Sequence, residues 1–373
     1  MSTFSGFMFD RINVYLYETP LPSPFRISCG TLCRKCGILF EVFSDGMTGW
    51  GEAAVNEVPF YAHETVGSVL DVTKTALFPL LKGKRFQHPD EVIDLMEKSF
   101  RGAHFAKAAL DAAAWDIYGK LLQKPVWKLI GGTREKIEMG RTVSIYDDVA
   151  ETLDGVRKAL ALGDVRVKVK IDPGHDVRNL SAIREHFPDI RLMADANSSY
   201  TAADFKHLAE LDRFHLLMME QPLNEEDIYC HSLLRREIHT PVCLDESIHT
   251  LHDANVCAAL NAADIVNIKI CRVGGLTHAR RMHDICQKNG IANWIGSRPD
   301  SGIANAPRLA AASLPNCIYP TDGKPNGSAG LMLNDTPPRQ EGRFLYLPQT
   351  PGFGLQVNME KLMMAVTAVV VLK

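Results

Sequence analysis

The sequence contains no long basic run, and its formal net charge is −3, so nothing in it recommends a nucleic-acid partner. Its start, Met1-Ser2-Thr3-Phe4, lacks a charged segment followed by an apolar stretch, so no secretory leader is expected. The most apolar late segment, Met363 to Leu372, is too short to span a bilayer. No membrane partner is expected, and a cytoplasmic location is the default. The nine cysteines are odd in number and their spacing gives no disulfide framework. Cys29, Cys33 and Cys36 include one Cys-x-x-Cys, but no second pair and no paired histidines follow at zinc-finger spacing. The plain reading puts these three in a loop and at the start of a strand, Gly37–Phe43. What is left is ordinary for a globular enzyme: 373 residues, 46% hydrophobic and 23% charged. That length suits two domains or one barrel with an addition.

Two patterns divide the chain. The first part reads as strands, then helices. Ile12–Tyr17, Gly37–Phe43 and Gly49–Ala53 look like strands, and Thr65–Leu81, Pro89–Phe100 and Ala106–Leu122 carry helical periodicity. This is an α+β order. From about Lys136 strands and helices alternate. Strands are expected at Ile137–Ile145, Val165–Lys170, Ile190–Asp195, Leu216–Glu220, Val242–Asp245, Ile265–Lys269, Asn293–Ile295 and Cys317–Tyr319. Helices such as Ala150–Leu162, Ala202–Leu211 and Leu276–Asn289 separate them. Eight strands are the number that closes a barrel. The expected fold is α/β: a (β/α)8-type barrel over 133–325 with an α+β capping domain over 1–132. The Gly- and Pro-rich stretch after Pro320 is expected to lead back to the capping domain, giving a returning segment at 326–373.

The barrel carries the chemistry. Lys170, Asp195, Glu220, Asp245 and Lys269 lie 25, 25, 25 and 24 residues apart, each at or just after a short apolar run. Such strand ends converge on one mouth. Asp195, Glu220 and Asp245 are hard oxygen donors of the kind Mg²⁺ or Mn²⁺ prefers, with no His or Cys among them to suggest zinc. Each alone reads more readily as a helix cap, but three in register on adjacent strands do not, and Glu caps poorly. In Lys168-Val-Lys170 the two lysines share one face of a strand and point into the barrel. Clustered ammonium groups are expected to depress each other's pKa, which fits one of them to act as a base. Lys269 stands across the mouth from Lys170, so a chelated carboxylate substrate would meet a lysine on each face of its α-carbon. The metal would then stabilise the enediolate formed as the α-proton leaves.

The runs Lys168-Val-Lys-Ile, Asp195-Ala-Asn, Glu220-Gln-Pro-Leu, Leu244-Asp-Glu-Ser-Ile and Asn267-Ile-Lys, with Arg272-Val-Gly-Gly, resemble the enolase superfamily in its muconate lactonizing enzyme subgroup. Within it the chain is most similar to o-succinylbenzoate synthases and N-succinylamino acid racemases. The resemblance covers nearly the whole chain, including Pro24-Phe25-Arg26, Gly49-Trp-Gly-Glu52 and Pro351-Gly-Phe-Gly. It implies that Asp195, Glu220 and Asp245 bind Mg²⁺, with Mn²⁺ as a substitute. It makes Lys170 and Lys269 the acid/base pair, Lys168 a neighbouring positive charge, and Asn197 and Gln221 partners of the metal carboxylates. Loops of the first domain around Pro24–Gly30 and Glu57–Tyr61 would shape the pocket, with Arg26, Phe60 and Tyr61 as substrate-binding candidates. The reaction implied is α-proton abstraction from a small carboxylate, ending in racemisation of an N-acylamino acid or elimination of water. Muconate cycloisomerases and dipeptide epimerases of the same subgroup share the lysine pair. Dipeptide epimerases carry Asp-x-Asp after the eighth strand, where this chain has Thr321-Asp322-Gly323. A catalytically silent barrel that only binds a ligand is the contrasting possibility, and the intact set of bases and carboxylates argues against it. A homo-oligomer is expected.

One stretch departs from the family pattern. After the seventh strand the family carries Gly-Gly-Met-(Ile/Leu)-Glu-Thr-Gly, and this chain reads Gly296-Ser-Arg-Pro-Asp-Ser-Gly302. Arg298, Asp300 and Ser301 are therefore candidates for substrate recognition. The arginine could hold a further carboxylate, or it could face solvent or pair with Asp300.

Overall fold

The computed structural model describes residues 6–28, 30–59, 61–322 and 332–373. A ring of parallel strands forms its centre. In chain order these are Lys136–Val143, Arg166–Lys170, Leu192–Asp195, Met219–Glu220, Val242–Leu244, Ile265–Ile268, Ala292–Ile295 and Thr321–Asp322. Each of the first six pairs with the next, and the eighth pairs in parallel with the first. Thr321 Oγ1 donates to the Ile295 carbonyl at 2.5 Å, which joins the eighth strand to the seventh. The barrel expectation is borne out.

Short strands suffice because most residues in them, and all in the second to sixth, are enclosed, by helices outside and packed side chains within. In Arg166–Lys170 all five residues are buried. Val167 and Val169 enter the main core, while Arg166 and Lys168 lie over the buried Trp294 ring, both at 4.9 Å. The helices start where capping residues allow. Asp148 accepts from Ala150 N ahead of Val149–Ala161, and Thr250 forms a capping box with Asp253 ahead of Leu251–Leu260.

The eighth strand lies later than expected. Cys317 makes only an isolated bridge to Asn293, and Pro320, which has no N–H to offer a ladder, follows. Regular pairing begins at Thr321. The expected helix Ala202–Leu211 is broken into Ala202–Asp204, Phe205–Glu210 and Leu211–Phe214.

The capping domain is a four-stranded antiparallel sheet backed by helices. Its order is Val366–Leu372, Arg11–Ile27, Gly30–Ser44, Met47–Ala53. Ile12, Val14, Ile38, Phe40 and Val42 pack on Ala106, Ala109, Ala113 and Ile117 of the helix His104–Leu121. That helix is alanine-rich on this face because the sheet comes very close. A Cβ on Gly51 would stand 1.8 Å from the Ala109 carbonyl oxygen. Cys33 and Cys36 lie on the strand Gly30–Ser44, Cys29 lies outside the described residues, and the described cysteines are free thiols. Among the described residues no helix is long and apolar enough to cross a membrane.

Candidate active site

The C-terminal ends of the second to sixth barrel strands bring the five charged residues together. Lys170 is beside Asp195, and Asp195 beside Glu220, in the strand register. Asp245 follows Val242–Leu244 and Lys269 follows Ile265–Ile268. All are buried, with Glu220 and Asp245 at 0% exposure and Lys170 and Lys269 at 5%. With so little water, each charge must be balanced by its neighbours.

The balance is visible in the contacts. Lys168 Nζ lies 3.1 Å from Asp195, 3.2 Å from Glu220 and 3.3 Å from Asp322. Lys170 Nζ is 2.7 Å from Asp195 and also donates to Asn197 Oδ1. Lys269 Nζ lies 2.6 Å from Asp245 and donates to the Tyr61 hydroxyl at 2.6 Å. Arg272 pairs with Asp245 and donates to the same hydroxyl at 2.7 Å. Among the described residues no three His, Cys, Asp or Glu side chains are arranged to cage an ion, and each of the three carboxylates is paired with a lysine or arginine instead.

Protonation follows from this crowding. Burial, and then the Asp195 charge, pushes Glu220 up to about 8. Burial acts in the same direction on Asp195 and Asp245, but it is outweighed. Lys170 and Lys168 hold Asp195 below the usual range, and Arg272 and Lys269 hold Asp245 below it. Burial lowers the Lys168 ammonium, yet Asp322, Glu220 and Asp195 together hold it well above its ordinary value. The expected mutual depression of the lysines therefore does not apply to Lys168, because three carboxylates surround it.

The neighbours of the carboxylates are themselves fixed. Gln221 Oε1 accepts from Asp245 N at 3.0 Å and Ser247 N at 3.1 Å. Asn197 donates to Glu246 at 2.8 Å, and Asn267 to Glu220 at 2.7 Å. Both Gln221 and Asn197 have positive φ, +40° and +42°, which turns the chain sharply at the mouth.

A cavity of about 430 Å³ opens over this cluster, and Lys168, Lys170 and Lys269 all line it. Its walls include Leu21, Pro22, Phe25 and Leu32 from the capping domain, together with Tyr61 and Arg298. Other candidates lie elsewhere. Arg26 alternates with the lining residues Phe25 and Ile27, so it turns away and pairs with Asp147 at 2.9 Å. Ser301 caps the helix Gly302–Ala312 and donates its hydroxyl to Glu52 of the capping domain. Asp300 is buried, where its charge acts on Arg308 and Lys35. Phe60 lies outside the described residues.

Four residues enter the charge network that sequence reasoning did not assign to it: Arg166, Arg272, Glu246 and Asp322. The alternation that marks Lys168 and Lys170 extends back one step to Arg166, a readable signal. Asp322 receives Arg166 at 2.7 Å across the barrel closure, and no local pattern announces that pairing.

Comparison with known proteins agrees with this architecture. Residues 148–361 match the enolase C-terminal domain-like family, and residues 11–131 the N-terminal domain of the mandelate racemase / muconate lactonizing enzyme family. The o-succinylbenzoate synthase of Bacillus subtilis (strain 168) is 39% identical over 94% of this chain and 95% of the relative. An N-succinylamino acid racemase from Amycolatopsis sp is 38% identical over 91% of this chain and 92% of the relative. A crystal structure of an enolase-superfamily member from Listeria innocua Clip11262 superposes with a TM-score of 0.93. It covers 98% of this chain and 99% of that one at 30% identity. The chain is an enzyme of the enolase superfamily and belongs to its mandelate racemase / muconate lactonizing enzyme family.

Proposed function

We propose that this protein removes the α-proton of a small carboxylate substrate, acting as an N-succinylamino acid racemase, an o-succinylbenzoate synthase, or both. Relatives carry both names. The observation that carries the reading is the placement of Lys170 and Lys269. They end the second and sixth of eight strands, on opposite sides of the ring, and line one cavity. Asp195, Glu220 and Asp245 lie on the three strands between them.

The donor set fits Mg²⁺, with Mn²⁺ as substitute: three buried carboxylates side by side, all hard oxygen donors. Burial first, and then the Asp195 charge, pushes Glu220 up to about 8, and a cation bound there would favour its ionised form. A divalent cation held by these three would supply positive charge beside the substrate carboxylate, lowering the cost of a second negative charge as the proton leaves.

The chain's own residues do the rest. Lys170 and Lys269 each face one side of the substrate α-carbon. In racemisation one removes the proton and the other returns one to the opposite face. In elimination a single lysine takes the proton and gives it to the hydroxide leaving from the β-carbon, while the other contributes charge. Lys168, held protonated by three carboxylates, contributes charge beside Lys170. Asn197 and Gln221 orient the carboxylates, and the apolar wall of Leu21, Pro22, Phe25 and Leu32 keeps water from the reacting carbon.

The test is α-proton exchange in D₂O with N-succinylamino acids. Exchange is expected with Mg²⁺, lost on chelation and restored by Mg²⁺ or Mn²⁺. Exchange that survives thorough chelation, or none with any carboxylate of a broad panel, contradicts the reading.

A further inference from the structure

Tyr61 stands where two halves of the molecule meet. It comes from the capping domain, yet its hydroxyl accepts from two barrel cations, Lys269 Nζ at 2.6 Å and Arg272 Nη2 at 2.7 Å. Those two bonds use both lone pairs of the phenol oxygen. The ring is held from another side by Arg298, whose guanidinium carbon lies 4.5 Å from the Tyr61 ring centre and 5.1 Å from that of Phe105. Arg298 is buried, at 8% exposure, between the seventh-strand loop and the start of the capping helix His104–Leu121. This stacking accounts for an arginine in the loop that departs from the family pattern. A guanidinium plane packs on aromatic faces as no aliphatic residue can.

Among the described residues Lys170 has no such tie. Its partners, Asp195 and Asn197, both belong to the barrel. Lys269 shares Asp245 with Arg272, so the Tyr61 hydroxyl is the contact that the capping domain adds.

We infer that Tyr61 is the positioning residue for Lys269 and that Arg298 holds Tyr61 in place, so that the capping domain bonds one lysine directly while the polar partners of the other come from the barrel. The inference rests on the proposed function, in which each lysine serves one face of the α-carbon. A lysine displaced by about 1 Å loses its approach to the proton, and misplacements of that size cost up to ~100-fold in rate.

The experiment uses the full-length Mg²⁺-loaded enzyme and each enantiomer of N-succinylphenylalanine in D₂O. Lys170→Ala and Lys269→Ala first identify which enantiomer each lysine serves. Tyr61→Phe is then expected to slow exchange of the Lys269 enantiomer by about 10- to 100-fold and to leave the Lys170 enantiomer within about 3-fold. Arg298→Met is expected to act in the same direction by about 3- to 10-fold, with kcat falling more than KM rises. Equal losses for both enantiomers in Tyr61→Phe would mark Tyr61 as a general substrate contact and overturn the inference.

A second readout does not need turnover. Competitive acetylation of the folded protein, read by peptide mass spectrometry, should show Lys269 labelled faster in Tyr61→Phe and Arg298→Met than in wild type, with Lys170 unchanged. Unchanged Lys269 labelling overturns the inference. If the wild type exchanges neither enantiomer while Lys269 labelling still shifts, the proposed reaction fails and the positioning role stands.

Discussion

On the side of the first to fourth strands, the capping domain meets the barrel through a few contacts, the one ion pair among them exposed. On the side of the sixth and seventh strands it meets it through mostly buried ones. The first group consists of Arg26 with Asp147 at 2.9 Å, Ser28 Oγ with the Asn197 carbonyl at 3.1 Å, and Ile145 N with the Arg26 carbonyl at 3.3 Å. In the second group Glu52 accepts from Ser301 N at 3.3 Å and Ala304 N at 3.0 Å, and Asp111 accepts from Thr277 N at 3.0 Å and Thr277 Oγ1 at 2.6 Å. Trp115 Nε1 adds a bond to Thr277 Oγ1 at 2.9 Å, and His104 one to the Arg272 carbonyl at 2.8 Å. The approach here is so close that a Cβ on Gly275 would stand 2.6 Å from Asp111 Oδ2. Exposed ion pairs are weak, whereas breaking a buried, hydrogen-bonded one is costly. One wall of the mouth is thus built jointly by both domains, and the other by the barrel with a light covering.

The largest expected effect lies where the two sides meet. Glu220 sits on the central strand of the carboxylate trio, so Glu220→Gln should abolish exchange of both enantiomers and weaken Mn²⁺ binding, followed by electron paramagnetic resonance titration. A variant that silenced only one enantiomer would mean that the cluster is not shared.

Stability should separate the two interfaces next. Glu52→Ala removes the acceptor of the Tyr17 hydroxyl at 2.6 Å as well as of Ser301 and Ala304, leaving buried donors unpaired. A loss of about 3 kcal/mol is expected by chemical denaturation. Arg26→Ala should leave the denaturation midpoint unchanged within error, since its partner Asp147 is 79% exposed. Similar losses from both would erase the distinction.

The two sides should also respond to pH in opposite senses. Burial pushes Asp111, on the jointly built side, from 3.8 up to about 7 despite its Thr277 bonds. A raised carboxyl pKa favours the folded state at low pH, and that advantage is lost as pH rises from about 4 to 7. Burial lowers His231, behind the fourth strand, from 6.5 to about 4. Its Nε2 accepts from Leu223 N at 3.1 Å, which requires a neutral ring, so stability is retained above 6.5 and lost as pH falls toward 4. Relative to wild type, Asp111→Asn should gain in Tm as pH rises through the first window. His231→Gln should gain as pH falls through the second, each by on the order of a few degrees. Parallel Tm–pH curves for wild type and variant would contradict either assignment.

Much of this was legible in the sequence because barrel geometry is periodic. One strand, one helix and two loops take about 25 residues, so charges at successive strand ends recur at that spacing without any alignment. Alternation within a strand likewise pointed Lys168 and Lys170 inward. The same rule, applied to Pro24-Phe25-Arg26-Ile27, would have turned Arg26 away from the cavity. Ser301 ahead of Gly302-Ile303-Ala304 was readable as a helix cap. What could not be read is contact between distant segments. Tyr61 and Lys269 are 208 residues apart, and Arg166 lies far along the chain from Asp322, so no local pattern records either pairing. The eighth strand was misplaced because an apolar run, Cys317–Tyr319, outweighed the interruption that Pro320 imposes.

The most direct test of the two-lysine account is α-proton exchange measured separately on each enantiomer, by nuclear magnetic resonance in D₂O, for wild type, Lys170→Ala and Lys269→Ala. Wild type should exchange both. Each variant should lose one enantiomer, a different one in each case, by about 10²- to 10⁴-fold, with racemisation abolished in both. Equal loss of both enantiomers in both variants would contradict the division of the α-carbon between the two sides of the mouth.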